Sequence, residues 1–155
     1  MAGRGSVHQM SDNHRRGAAF HEAGHAVVAW SLGLQVGDIA IGIDGDDAKG
    51  GAQIAADQHH LSVIDRVAIC LAGLEAQAHF ESPTHPYAGI RDFDRVRQII
   101  GEDISEDESS ALRNAGFERA REKIIENEVQ YRRLADRLLE HGRVCAAEFM
   151  ELMTA

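Results

Sequence analysis

Cysteine, proline, aromatic residues, basic charge and long apolar runs are all scarce in this chain. Its two cysteines, Cys70 and Cys145, stand far apart in helix-forming, apolar surroundings and make no CxxC pair. That excludes a disulfide framework and suits a reducing, cytoplasmic setting. No apolar run is long enough to span a bilayer, and residues 1–17 lack the apolar segment of a secretory signal. The expectation is a cytoplasmic protein with no membrane partner. Asp and Glu total 25 against 16 Lys and Arg, a net charge of −9. Nucleic acid is therefore not the expected partner, because phosphate binding needs clustered basic residues. Both prolines fall in Ser82-Pro83 and His85-Pro86, where a break in the chain is expected.

What remains is a 155-residue chain, 44% apolar, suited to one core. Residues 1–14 read as a flexible N-terminal tail and 15–155 as a single domain. A first helix is expected from about Arg15 to Leu32, stopped by Gly33. Alternating isoleucines in Asp38–Ile43 predict a strand, and Gly50–Ala56 its partner. The acidic link Asp44–Lys49 resembles a calcium loop only superficially. Lys49 stands where the loop needs glycine and Ala55 where it needs a bidentate glutamate.

Val63, Ile64, Val67, Ala68, Leu71, Leu74 and Ala78 predict a helix over Leu61–Phe80. A short helix is expected over Asp92–Ile100, stopped by Gly101. Ser105–Glu108 reads as a capping box opening one long helix that ends at Gly142. A last short helix covers Ala146–Leu152. The fold class is mostly α (α+β), with a small two- or three-stranded sheet beside the first helix.

That first helix carries His21-Glu22-Ala23-Gly24-His25, an HExxH motif. Histidines four apart lie on one helical face, so both imidazoles can reach one Zn²⁺. The glutamate between them can act as general base on a metal-activated water. The expected activity is peptide-bond hydrolysis. Such a site needs a third protein ligand, and no HExxHxxGxxH continuation supplies it. Glu75, Asp92, Asp94, His59 and His60 are the candidates.

Residues Gly17–Ala29, GAAFHEAGHAVVA, resemble the peptidase domain of FtsH-type ATP-dependent zinc metalloproteases. The later pattern Leu71-Ala72-Gly73-Leu74-Glu75-Ala76 and the C-terminal run Leu134–Glu140 do so too, and the likeness spans about residues 15–152. The resemblance implies a helical zinc-peptidase domain with an aspartate at a helix start as third ligand. An apolar residue follows that aspartate, with small or apolar positions four, seven and eight further on. Asp92, with Phe93, Val96, Ile99 and Ile100, matches; Asp94, with Arg95 and Gln98, does not.

The implied metal set is His21, His25 and Asp92, with Glu22 catalytic and Zn²⁺ the cofactor. Where the family carries an acidic residue, this chain has Gln77, so the partner behind a ligand histidine is Glu75, Gln77 or neither. The 155 residues hold no ATPase module and no transmembrane helix, so the expectation is a stand-alone domain acting on peptides or unfolded segments. It would bind its substrate along the strand near Ile39–Ile43. The implied assemblies are a homo-oligomer and a separate unfoldase or adaptor. The alternatives are a non-proteolytic zinc-containing binding or regulatory module, and a selective protease that cuts one partner protein.

Overall fold

The computed structural model describes residues 2–42, 50–82 and 89–155, with residues 2–11 described by backbone alone. Helix α1 spans Ala2–Ser31. It starts well upstream of Arg15, so the expected tail is helical from Ala2. No proline interrupts this stretch, and each residue added to an existing helix gains a hydrogen bond without a new nucleus. Gly33, at φ +88°, ends the helix. Of the expected breaks, both proline positions and the Asp44–Lys49 link fall outside the described residues.

Strands β1 (Val36–Ala40), β2 (Gly51–Ile54) and β3 (Arg143–Val144) form an antiparallel sheet in the order β2-β1-β3. β1 starts two residues earlier than its isoleucine alternation suggests, because Val36 still pairs with Ile54 across an irregularity before Ile39. At that irregularity the Asp38 carboxylate accepts the Ala146 backbone N–H at 3.0 Å. β3 is too short for any period to register.

Helix α2 covers Val63–His79 and is capped by the Ser62 hydroxyl, which accepts from the Asp65 N–H at 3.1 Å. Helix α3 covers Ile90–Ile100 and ends at Gly101, at φ +84°. Helix α4 is Glu106–Glu126, capped by Ser105 as the capping box predicts. The single long helix expected up to Gly142 is in fact two. Asn127 leaves helical geometry at φ −118°, and its side chain donates to the Lys123 carbonyl at 2.8 Å. Helix α5 then runs Glu128–His141, and α6 spans Ala146–Thr154.

α1 lies at the centre. Ala19, Ala23 and Ala26 are fully buried, together with Ile39 of β1, Ala72 of α2, Leu134 and Leu138 of α5 and Phe149 of α6. Two helix-interior glycines permit unusually close packing. A Cβ on Gly24 would stand 2.5 Å from the Ala72 carbonyl oxygen, and one on Gly116 of α4 would stand 2.5 Å from Val67. Phe20, Phe80 and Tyr131 stack at one end, with Phe80 and Tyr131 centroids 4.6 Å apart. The buried Tyr131 hydroxyl donates to the Phe20 carbonyl at 3.0 Å, fastening α5 to α1. Cys70 is buried and Cys145 exposed; both are free thiols. Among the described residues, no helix is long and apolar enough to cross a membrane.

Candidate metal centre

His21 and His25 project from one face of α1, with ring centroids 4.7 Å apart and planes at 74°. Their Nε2 atoms are 3.0 Å apart. Asp92, in the first turn of α3, brings its Oδ2 to 3.0 Å from His21 Nε2 and 3.4 Å from His25 Nε2. A tetrahedral zinc with bonds of about 2.0–2.1 Å separates its ligand atoms by about 3.3 Å. The three donors therefore stand at the spacing of one face of such a tetrahedron. Two neutral imidazoles and a carboxylate also form a donor set that suits Zn²⁺.

The far side of each ring is fixed. His21 Nδ1 donates to the Gln77 side-chain oxygen at 2.7 Å, and His25 Nδ1 donates to the Ile69 main-chain oxygen at 2.8 Å. With Nδ1 engaged on the far side, each Nε2 faces Asp92, where it donates a hydrogen bond when protonated and offers its lone pair to a cation when neutral. Gly73 makes room for this. A Cβ there would come within 2.6 Å of His21 Nε2 and 2.7 Å of its two flanking ring carbons, so the imidazole lies in the space that a side chain would fill.

Electrostatics demand positive charge at the same point. For His25, burial disfavours the charged ring, but the hydrogen bond and charge of Asp92, the charge of Glu22 and the Ile69 carbonyl outweigh it, pushing the group up to about 9. For Asp92, burial opposes ionisation, yet hydrogen bonds from His21 and His25 hold the carboxyl well below the usual range. A cluster that would otherwise bind a proton this tightly suits a metal cation.

The other candidate ligands do not join the cluster. Asp94 is exposed and paired with Arg97 at 3.2 Å. His59 and His60 are exposed at a turn. Glu75 lines a small hollow with Phe117, Glu118 and Arg121; burial raises its carboxyl against the pull of Arg121 and His79. Behind His21 the chain therefore presents Gln77, not Glu75.

Glu22 lines a cleft of about 1440 Å³ together with His21, His25 and Asp92. β2 lines the same cleft through Gly51, Ala52, Gln53 and Ile54. Among the described residues, the sheet order makes β2 an edge strand and places β1 in the middle, paired on both sides. The strand near Ile39–Ile43 thus has no free edge along its paired residues, and the binding edge expected there is not available. The sequence drew attention to β1 because its isoleucines alternate. β2 reads as small residues with little pattern, and only the topology reveals its edge.

No family model matches the chain, and no curated protein matches it.

Proposed function

We propose that the protein is a zinc-dependent metalloendopeptidase acting on extended peptides or unfolded protein segments. The observation that carries this reading is the convergence of His21 Nε2, His25 Nε2 and Asp92 Oδ2 within 3.4 Å in a cleft that also holds Glu22. The resemblance of Gly17–Ala29 to FtsH-type peptidase domains supports it.

His21, His25 and Asp92 would hold Zn²⁺, which supplies Lewis acidity and lowers the pKa of water towards about 7. The chain's own residues do the rest. Gln77 and the Ile69 carbonyl hold both rings in the tautomer that leaves Nε2 free. Glu22, one residue along α1 from His21, is placed to take a proton from the attacking water and return it to the leaving amine. An extended substrate adds to the outer edge of β2, where main-chain hydrogen bonds align its carbonyl beside Glu22.

The test compares zinc-loaded wild type with Glu22→Gln on casein. Glu22→Gln is expected to keep its zinc and to lose at least about 100-fold in hydrolysis, the usual contribution of a general base. A fully active Glu22→Gln protein overturns the role, and absence of cleavage by zinc-loaded wild type overturns the reading.

A further inference from the structure

The cleft carries three carboxylates and three guanidinium groups: Glu22, Asp92 and Asp94 against Arg66, Arg91 and Arg95. The carboxylates are committed. Asp92 belongs to the metal cluster, Glu22 to the proposed chemistry, and Asp94 pairs with Arg97. Among the described residues, no ion pair or hydrogen bond engages the side chain of Arg66 or Arg95, and the Arg66 Nε is buried without a partner. A buried, unpaired guanidinium nitrogen is uncommon, because desolvating a charged donor without replacing its water is unfavourable. In a chain of net charge −9 these cations are also set against the overall balance.

Their placement follows from the elements that build the metal centre. Arg66 precedes Ile69 and Cys70 by three and four positions on α2, so it lies one turn from the carbonyl that orients His25. Arg95 follows Asp92 by three positions on α3, one turn from the third ligand. Cys70 is close enough to feel both: burial pushes its thiol up to about 11, while Arg95 and Arg66 pull it down and Asp92 pushes it up. With Ile69 and Ile99, Cys70 also lines the cleft. The cleft thus joins the apolar Cys70, Ile69 and Ile99 with two uncommitted guanidinium groups, Arg95 one helical turn from Asp92 and Arg66 one turn from the carbonyl that holds His25.

We propose that Arg66 and Arg95 form a carboxylate-recognising subsite beside the metal centre, selecting peptides that carry an acidic group next to the bond presented to Glu22. The methylenes of an acidic side chain would rest on Cys70 and Ile99 and its carboxylate would meet the guanidinium forks, a pairing that arginine makes with directional, charge-assisted hydrogen bonds. A peptide's terminal carboxylate offers the same chemistry. This inference rests on the proposed peptidase reading for the position of the substrate, but binding tests it separately.

The experiment measures fluorescence anisotropy of three labelled peptides on zinc-loaded Glu22→Gln protein, and hydrolysis of the same peptides by zinc-loaded wild type. One peptide has an internal Glu and an amidated end, the second has Gln in its place, and the third has Gln with a free carboxyl end. The Glu peptide is expected to bind about tenfold tighter than the amidated Gln peptide. The third peptide shows whether a terminal carboxylate substitutes for the side chain.

Arg66→Met is expected to abolish the preference at unchanged zinc content. Arg95→Glu, on the exposed side of α3, is expected to shift it towards a Lys peptide. Equal binding of all three peptides, no binding, or a preference that survives both substitutions overturns the subsite. Preference in binding without hydrolysis by wild type leaves the subsite standing and removes the peptidase reading. Hydrolysis of all three alike, with equal binding, does the reverse.

Discussion

The candidate metal centre lies where two differently built seams meet. Between α1 and α2 the seam is made of small residues at close range. Gly24 sits under the Ala72 carbonyl, Gly73 under the His21 ring, and Ala19, Ala23, Ala26, Ala72 and Ala76 are fully buried. This seam belongs to the main core and fixes both histidines through Ile69 and Gln77. Between α2 and α3 the seam is sparse. Val96 is the one buried residue of α3, and it joins a satellite cluster of Val67, Cys70 and Leu71, with Phe93, Ile99 and Ile100 partly covered. The two histidines of the cluster thus rest on a backbone-tight joint and Asp92 on a short, largely exposed helix. The difference teaches that positioning can be divided: the histidines are preorganised by the fold, whereas Asp92 depends on few apolar contacts and gains most from a shared cation.

The strongest way to break this contrast is to spoil the tight joint. Gly73→Ala places a methyl at 2.6 Å from His21 Nε2. It is expected to reduce zinc affinity at least about 100-fold and to lower stability by about 1–3 kcal/mol, as overpacking does. Competition titration with a chelator and thermal melting measure the two effects; unchanged affinity would show that the ring has room to move.

Next in size is removal of the proposed third ligand. Asp92→Ala is expected to lose about 100-fold or more in zinc affinity, exceeding typical losses from outer-shell partners, whereas Asp94→Ala, which breaks only an exposed pair with Arg97, retains it. Equal retention by both variants in metal analysis would move the third ligand elsewhere.

Loosening the sparse seam is expected to act more gently. Val96→Ala deletes buried methyl groups at a cost of about 1–2 kcal/mol. Hydrogen exchange should rise in α3 while α1 and α2 stay protected. Uniform exchange across all three helices would mean that the two seams open as one.

The smallest effect sharpens the comparison through thiol chemistry. The thiolate is the reactive form, and Cys70, pushed up to about 11, is about one part in a thousand ionised at pH 8. Alkylation at Cys145, which is exposed, should precede that at Cys70, and the Cys70 rate should climb about tenfold per pH unit until pH approaches 11. Chelation is expected to raise the Cys70 rate several-fold as α3 loosens; a rate indifferent to chelation would show that α3 needs no cation to stay docked.

The helices and both histidines were legible because a 3.6-residue period and HExxH are local patterns. The break at Asn127 was not. The apolar stripe passes from Ile124 to Tyr131 in step, both fully buried, so periodicity continues across a point where the backbone turns. The helical start at Ala2 was hidden by a polar composition that reads as a tail. Asp92 was one of five candidates until the family pattern singled it out, since a ligand from another helix leaves no spacing to read. The edge position of β2 is a property of three strands together and has no signature in any one of them. Gln77 and Gly73 carry no chemistry alone; they matter only against His21.

The two histidines also differ in how far their surroundings can be rewritten. His21 leans on a side chain, Gln77, so one codon can exchange its neutral acceptor for a carboxylate and make the ring more electron-rich. His25 leans on the Ile69 main-chain oxygen, which every substitution at that position preserves. Selection or design can therefore adjust one half of the cluster's environment gradually, while the other half is inherited with the path of α2 itself.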